Sequence, residues 1–232
     1  MYEETNRLMR SVVPAVIPTS RRHLDATLER CADFADEVQV DIVDGVFAPE
    51  SSWPYNQTES VETLLQNLNF HELPTELDLM IQNPEETMDL WMQTGAKKIV
   101  VHVESTKKLS DIIEDSAPRA FHLGLSLNND TDVHVLEDID MEHVDYIQLM
   151  GIKDIGAQGQ PFDERVIKRI EYIHNTYPRL PISIDGSVNK TTIVALARAG
   201  ATRFVAGSAI LKSDNWEDAY KDLKVLANRD TL

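Results

Sequence analysis

The segment Val38-Gln39-Val40-Asp41-Ile42-Val43-Asp44-Gly45 gives the clearest indication of the fold class. Its first part, 38–42, is rich in β-branched residues and is followed by Asp44 and Gly45, as in a parallel strand covered by helices on its outer face. Seven similar runs occur along the chain, at 11–17, 76–81, 98–103, 121–127, 146–150, 182–184 and 203–206. Helical patterns lie between them, as at 163–170, and Asn83-Pro84-Glu85-Glu86 predicts a helix start with an asparagine cap.

Eight strand–helix pairs with short connections predict either a closed barrel or a doubly wound open sheet. The chain has 232 residues, close to the roughly 250 residues of one eight-stranded barrel. No G-x-G-x-x-G sequence follows the first strand, which disfavours the dinucleotide-binding form of the open sheet. We therefore predict an α/β protein with one (β/α)₈ TIM-barrel domain over 1–232, in which 1–10 form an N-terminal extension and 11–228 form the barrel.

The composition limits the partners that the protein can have. It contains 39 acidic and 22 basic residues, for a formal net charge of −17, and such a field repels polyanions, so we expect no nucleic-acid partner. No apolar run approaches the ~20 residues of a membrane span, and the polar N-terminus does not resemble a secretory signal, so we expect no membrane partner. The single cysteine, Cys31, fits a reducing compartment. We expect a cytoplasmic protein that forms a homo-oligomer.

Polar residues stand at the carboxyl ends of most predicted strands, where barrel enzymes place their chemistry. They are Asp41, Asp44, Asp78, His102, Asn128, the segment 156–160, Asp185, Gly186, Gly207 and Ser208. The longest irregular stretch, 45–58, follows the second strand, and a loop of this length in a compact domain usually has a function or acts as a lid. These residues define the candidate site.

Two Gly-Ser pairs indicate a phosphate site. Gly186-Ser187 and Gly207-Ser208 follow strands seven and eight, where barrels commonly hold a phosphate against backbone N–H groups and a short helix. The sequence Ser-Ala-Ile-Leu at 208–211 is predicted to form that helix. Either pair alone is explained equally well as an ordinary turn, but two such turns on adjacent strands favour phosphate binding.

Several motifs resemble those of the ribulose-phosphate 3-epimerase family, in that family's order and over nearly the whole chain. VDIVDGVFAP at 40–49 resembles H-V-D-x-M-D-G-x-F-V-P, and LDLMIQNP at 77–84 resembles D-x-H-L-M-I-x-N-P. The further matches are VHVE at 101–104, LN at 127–128, GQPF at 159–162, IDGSVN at 184–189 and FVAGSAI at 204–210. The resemblance implies a TIM barrel of the ribulose-phosphate-binding type.

The resemblance also implies a chemistry. Family members invert the carbon next to the carbonyl of a ketose phosphate through an enediolate, using one aspartate on each face and a divalent metal. By motif, Asp41 and Asp185 are the two acid/base residues, expected on opposite sides of the barrel mouth, and Met80 and Met150 cap the intermediate. The residues expected to contact the phosphate or the rest of the substrate are Gly159, Gly186, Ser187, Gly207 and Ser208.

The metal site departs from the family pattern. The family uses two histidines and two aspartates, but Gln39 and Asp78 stand at the histidine positions. The candidate ligands are then Gln39, Asp41, Asp78 and Asp185, an all-oxygen set that favours Mg²⁺, Mn²⁺ or Ca²⁺ over Zn²⁺ or Fe²⁺. Three converging carboxylates would repel one another and raise at least one pKa, which favours a bound cation or a shared proton. The alternative is that Gln39 and Asp78 are remnants of a lost site and that no metal is bound.

Three functions follow from these features. Retention of Asp41 and Asp185 favours an epimerase acting on a ketopentose or ketohexose phosphate. Loss of the usual metal ligands, and of first-strand serines at Ala15 and Pro18, favours a catalytically impaired paralogue that binds a sugar phosphate. An aldolase or decarboxylase on the same barrel would carry D-x-K-x-x-D, but 41–44 contains no lysine. The loop after the sixth strand is a further difference from the family, because the segment 153–158 matches the family's N-P-G-F-G-G poorly.

Overall fold

The structure is a computed structural model that describes residues 9–70, 72–115 and 120–229, and its eight parallel strands form one closed barrel. The strands are β1 (Ser11–Val16), β2 (Val38–Val43), β3 (Thr75–Met80), β4 (Lys98–His102), β5 (His122–Leu127), β6 (Tyr146–Met150), β7 (Ile182–Asp185) and β8 (Arg203–Ala206). Each strand pairs with the next, and β8 closes the ring against β1, with Ser11 opposite Arg203. The predicted barrel is confirmed, and each strand lies at its predicted place.

Helices surround this barrel. They are α1 (Arg21–Ala32), α2 (Val61–Leu65), α3 (Met88–Met92), α4 (Leu109–Asp115), α5 (Arg165–Thr176), α6 (Ile193–Ala199), α7 (Ser208–Leu211) and α8 (Trp216–Ala227). Between β5 and β6 the described chain forms only 3₁₀ helices, at Val133–Asp138 and Met141–His143. Within the described ranges, no helix combines the length and the apolar composition needed to cross a membrane. The limits 11 and 228 of the barrel domain stay a prediction.

The predicted helix start at Asn83 is wrong in detail. Asn83 has a φ of 52°, and its side chain makes no capping hydrogen bond. Only a 3₁₀ turn forms at Pro84–Glu86, and α3 begins later, at Met88. The left-handed backbone at Asn83 turns the chain away from the end of β3, and it excludes the extended conformation that a capping asparagine adopts.

The strands turn apolar side chains outward and polar side chains into the barrel. In β2, Val38, Val40 and Ile42 belong to the main hydrophobic core, whereas the alternate residues Gln39 and Asp41 are buried outside it. The other buried polar residues on strands include Glu76, Asp78, His102, Ser126, Gln148, Ser183 and Arg203. Several of their hydrogen bonds join strands that are not neighbours, so these side chains meet inside the ring.

The amino-terminal end of the barrel is filled by a network around Arg203. Its Nη1 donates to Oε1 of Glu76 at 2.9 Å and to Oγ of Ser183 at 3.1 Å, and its Nε donates to Oε1 of Glu37 at 3.1 Å. The Tyr146 hydroxyl donates to Oε2 of Glu76 at 2.7 Å. Burial raises the pKa of Glu76, and the Arg203 guanidinium opposes that rise. Because Glu76 is fully buried, its carboxylate depends on Arg203 for a counter-charge.

Gly124 on β5 leaves the space that the Tyr146 ring occupies. A β-carbon at residue 124 would lie 2.4 Å from Cζ of that ring, which is far inside the distance at which two carbon atoms attract each other. The missing side chain therefore lets the Tyr146 hydroxyl reach Glu76 across the barrel.

Replacing Arg203 by Met should lower the free energy of unfolding by about 3–5 kcal/mol, because the buried Glu76 carboxylate loses its counter-charge. Arg165→Met is the matched control. The Arg165 side chain is 53% exposed and pairs with Asp130 and Asp163 at the surface, where such pairs contribute about 1 kcal/mol or less. Urea unfolding followed by circular dichroism measures both variants. Equal losses would show that the barrel does not depend on the Arg203 network.

Candidate active site

Asp78 on β3 lies inside the barrel, fully buried, with both carboxylate oxygens hydrogen-bonded. Its Oδ1 lies 3.1 Å from Nε2 of His102 on β4, and its Oδ2 accepts a hydrogen bond from Nε2 of Gln148 on β6 at 2.8 Å. Burial disfavours protonation of His102, but the carboxylates of Asp78, Glu104 and Asp185 together outweigh burial and raise the pKa of the imidazole. Neighbours on both sides therefore fix the orientation of Asp78.

Asp41 on β2 and Asp185 at the end of β7 meet at the carboxyl end of the barrel. The carboxamide nitrogen of Gln39 donates to Oδ1 of Asp41 at 2.8 Å and to Oδ2 of Asp185 at 2.7 Å. The carboxylates are closer together than opposite positions on the rim would place them, because only β1 and β8 separate their strands on that side. Burial and repulsion by Asp185 and Asp78 raise the pKa of Asp41. Burial and repulsion by Asp78 raise the pKa of Asp185 to about 7.

These aspartates form a cluster that could hold a metal ion. Asp41, Asp78 and Asp185 each offer a carboxylate oxygen, and these oxygens lie within 4.8 Å of one another. Oε1 of Gln39 is buried and has no hydrogen-bond partner among the described residues. The three carboxylate oxygens suit a hard cation such as Mg²⁺ or Mn²⁺ better than Zn²⁺ or Fe²⁺, whereas the Gln39 carboxamide turns its nitrogen toward Asp41 and Asp185. The residues present therefore fit an oxygen-rich metal site, and their role as ligands stays a prediction.

An apolar cluster covers the mouth of the barrel. Its buried members are Val43, Ala48, Met80, Met150, Ile152 and Ile155. Met80 and Met150, the two predicted capping residues, line the same cavity as Asp41 and Asp185. Apolar walls lower the local dielectric constant and so strengthen the electrostatic interactions of the carboxylates.

The long loop at 45–58 is attached to the barrel by Asp44. Oδ1 of Asp44 accepts hydrogen bonds from the backbone N–H groups of Val46 and Phe47, and its Oδ2 accepts one from the N–H of Gln82. The Phe47 ring packs against the apolar cluster. Asp44 therefore holds the start of this loop against the apolar cluster at the barrel mouth.

The two Gly-Ser turns lie on the same rim, after β7 and β8. Gly186 and Ser187 have positive φ angles of 96° and 53°, and the short helix predicted after Gly207 forms as α7. The Ser187 hydroxyl donates a hydrogen bond to the backbone carbonyl of Gln160, in the loop after β6. That loop and both turns therefore enclose one end of the cavity.

One cavity of about 50 Å³ joins the turns to the carboxylates. The predicted site residues that line it are Asp41, Met80, Met150, Gly159, Asp185, Gly186, Ser187, Gly207 and Ser208. Gln39 and Asp78 lie beneath it, fully buried. One glutamine was not predicted, Gln148, which holds Asp78; strand alternation in β6 could have identified it. Gln158 lines the cavity as part of the predicted segment 156–160.

Comparison with known proteins shows which family has a sequence similar to this chain. A profile of the ribulose-phosphate 3 epimerase family matches residues 11–211, which include every residue of the candidate site. The chain belongs to this family. Among its relatives, the ribulose-phosphate 3-epimerase of Aquifex aeolicus is 30% identical over 196 residues, covering 83% of this chain and 85% of the relative. The enzyme of that name from Schizosaccharomyces pombe is 26% identical over 217 residues, covering 92% of each chain.

Solved structures of other barrel proteins share the fold of this ribulose-phosphate 3-epimerase family member. A 3-hexulose-6-phosphate synthase matches with a TM-score of 0.65 at 19% identity, covering 94% of this chain and 99% of that one. An orotidine 5′-monophosphate decarboxylase from Sulfolobus solfataricus matches with a TM-score of 0.63 at 12% identity, covering 96% and 100%. Identities this low establish the fold alone.

Asp185→Asn should stabilise the folded protein at pH 8 and change its stability little near pH 4. The folded protein keeps the Asp185 proton up to about pH 7, whereas the unfolded chain releases it near the ordinary value of 3.8. The folded state thus binds more protons between these values, and the contribution of Asp185 to stability falls as the pH rises through that window. Asparagine removes the buried charge, so we expect a gain on the order of 1–2 kcal/mol above pH 7, allowing for the partial exposure of Asp185.

Urea unfolding at both pH values, with EDTA present, measures this gain. Asp214→Asn is the control, because Asp214 is exposed and distant in sequence from the cluster. A stabilisation of the same size at pH 4 would contradict the electrostatic explanation.

Proposed function

We propose that this chain epimerises a ketose phosphate, inverting the carbon next to the carbonyl of ribulose 5-phosphate or a close analogue. Family membership supports a pentose-phosphate epimerase. The observation that carries the finer proposal is the placement of Asp41 and Asp185 along one cavity, bridged by the carboxamide of Gln39. An inversion needs one proton-transfer group on each face of the reacting carbon. Two carboxylates that reach that carbon from different strands can take these two positions.

The raised pKa values suit proton transfer at neutral pH. Because burial and like charge raise the pKa of both Asp41 and Asp185, one carboxyl can be ionised while the other keeps its proton. The ionised carboxylate takes the proton from the substrate carbon and leaves an enediolate, and the protonated carboxyl returns a proton to the opposite face. The two N–H groups of the Gln39 carboxamide hold both carboxylates toward the same point. For the reverse reaction the two aspartates exchange roles.

Other residues bind and shield the substrate in this proposal. Met80 and Met150 cover the planar enediolate and exclude water from it. At the other end of the cavity, the turns at 186–187 and 207–208 present backbone N–H groups to the phosphate, together with Gly159. A substrate held at its phosphate keeps its reacting carbon beside the aspartates.

A divalent metal ion is compatible with the same arrangement of carboxylates. Asp41, Asp78 and Asp185 would hold a divalent cation, which when bound supplies positive charge for the ketone and hydroxyl oxygens of the substrate. Gln39, whose carboxamide nitrogen faces Asp41 and Asp185, would offer Oε1 to the cation only after its carboxamide turns over. The hydrogen bonds from His102 and Gln148 hold Asp78 in place for this role, as partners of ligating carboxylates commonly do.

A second candidate function is binding of a sugar phosphate without turnover. The specific observation in its favour is that Gln39 donates to both acid/base aspartates and occupies a position where the family pattern has a metal-binding histidine. These hydrogen bonds lower the pKa of both carboxyl groups and oppose the effect of burial.

Solvent deuterium exchange separates the two functions. Wild-type protein supplied with Mg²⁺ or Mn²⁺ should incorporate deuterium from D₂O into ribulose 5-phosphate at the inverted carbon, as measured by proton NMR. Asp185→Asn should lower the exchange rate about 10²- to 10⁴-fold, because one of the two proton-transfer groups is lost, and Asp214→Asn should not change it. Binding of the sugar phosphate without exchange would favour the second function.

Metal binding is tested without reference to activity. Adding Mn²⁺ to metal-free protein should raise its melting temperature, because a ligand that binds only the folded state stabilises it. Asp78→Asn should reduce this rise, since one of the three carboxylates loses its charge. An equal rise in Asp78→Asn and wild type would place the cation elsewhere.

A further inference from the structure

Gln158, in the loop between β6 and α5, reaches over the turn that follows β8. Its Nε2 donates to the backbone carbonyl of Ala15 at 3.2 Å. A β-carbon on Gly207 would lie only 2.5 Å from that nitrogen, so the carboxamide packs directly on the Gly207 backbone. It occupies part of the space at this turn, between Ala15 and Gly207, and Gly159, the next residue of the loop, lines the same cavity.

Lys212, which follows α7, stands near Gly159. Its Nζ lies 3.9 Å from the point that a β-carbon on Gly159 would occupy. The side chain is exposed, and within the described ranges no acidic residue forms an ion pair with it. The ammonium group is therefore available to a ligand at the end of the cavity formed by Gly159.

Gln158, like Ile17, Gly156 and Ala157, lies between two neighbouring cavities. It lines the substrate cavity and a second cavity of about 420 Å³, which Lys212 and His23 also line. Of the described lysines and arginines, Lys212 alone lines either cavity. The protein has a net charge of −17, and the substrate cavity itself contains two aspartates. A phosphate dianion is repelled by these negative charges, and the Lys212 ammonium group is the nearby cation that can offset part of that repulsion.

We propose that Lys212 and Gln158 extend the phosphate site of this chain. Lys212 donates a charge-assisted hydrogen bond to the phosphate, and Gln158 fills the space against Gly207 so that the phosphate lies within reach of Lys212. The inference rests on the proposed function and adds to it two residues outside the Gly-Ser turns. It also makes the affinity for substrate depend on ionic strength, because the contact joins opposite charges at an exposed site.

Isothermal titration calorimetry with inorganic phosphate tests the role of Lys212. Lys212→Gln should raise the Kd for inorganic phosphate roughly tenfold, the effect of losing one hydrogen bond to a charged group. Lys168→Gln is the control, because Lys168 is an exposed residue of α5 and its replacement removes the same charge. Added KCl should weaken phosphate binding more steeply in wild type than in Lys212→Gln. In the exchange assay, Lys212→Gln should raise KM more than it lowers kcat.

Gln158→Gly tests the second half of the proposal. Without the carboxamide, phosphate can move against Gly207 and away from Lys212. Lys212→Gln should then weaken phosphate binding less in the Gln158→Gly background than in wild type, and this difference measures the coupling of the two residues.

The outcomes separate this inference from the proposed function. If wild type exchanges deuterium but Lys212→Gln and Lys168→Gln bind inorganic phosphate equally, the inference is wrong and the proposed function stands. Additive effects of the two substitutions would remove Gln158 from the proposal. If wild type neither binds inorganic phosphate nor exchanges deuterium, both the inference and the proposed function fail.

Discussion

A closed eight-stranded barrel leaves little room for water at its centre, so each inward polar side chain must find a partner on another strand. This requirement governs the interior of the present chain. Arg203 donates to Ser183, the Ser183 hydroxyl donates to Oε1 of Gln148 at 3.4 Å, and Gln148 donates to Asp78. This series of hydrogen bonds runs from the amino-terminal end of the barrel to the residues beneath the candidate site. The hydrogen bonds that satisfy the interior are therefore the ones that orient a carboxylate beneath the cavity.

At the carboxyl end the same interior carries an unfavourable arrangement. Asp41, Asp78 and Asp185 have oxygens within 4.8 Å of one another, and no arginine or lysine lines the cavity above them among the described residues. Such a cluster lowers the stability of the fold, and the large apolar core between strands and helices offsets that loss. The same repulsion raises the pKa of a carboxyl that must carry a proton at neutral pH, which is what acid–base chemistry requires.

Much of the architecture could be predicted because it depends on local patterns. The eight β-branched runs identified the strands, and the polar residues at their ends identified Asp41 and Asp185. The prediction of a helix cap at Asn83 was wrong because the backbone conformation of Asn83 depends on how β3 leaves the barrel. A capping pattern in the sequence contains no information about that geometry. The bridge made by Gln39 could not be foreseen, since it depends on the distance between β2 and β7 in the closed ring. The contact of Gln158, in the predicted segment 156–160, with Gly207 could not be predicted for a related reason, since it joins a loop to a distant turn.

The space left by Gly124 restricts how this sequence can change over generations. Any side chain at residue 124 collides with the Tyr146 ring, so position 124 can vary only in a lineage that has already replaced the tyrosine. That first replacement removes the hydroxyl that bonds Glu76 and leaves a buried carboxylate with one partner fewer. The two positions are therefore epistatic, and the permitted order of substitutions passes through a weakened intermediate. Relatives that carry a side chain at position 124 should therefore lack the tyrosine at position 146.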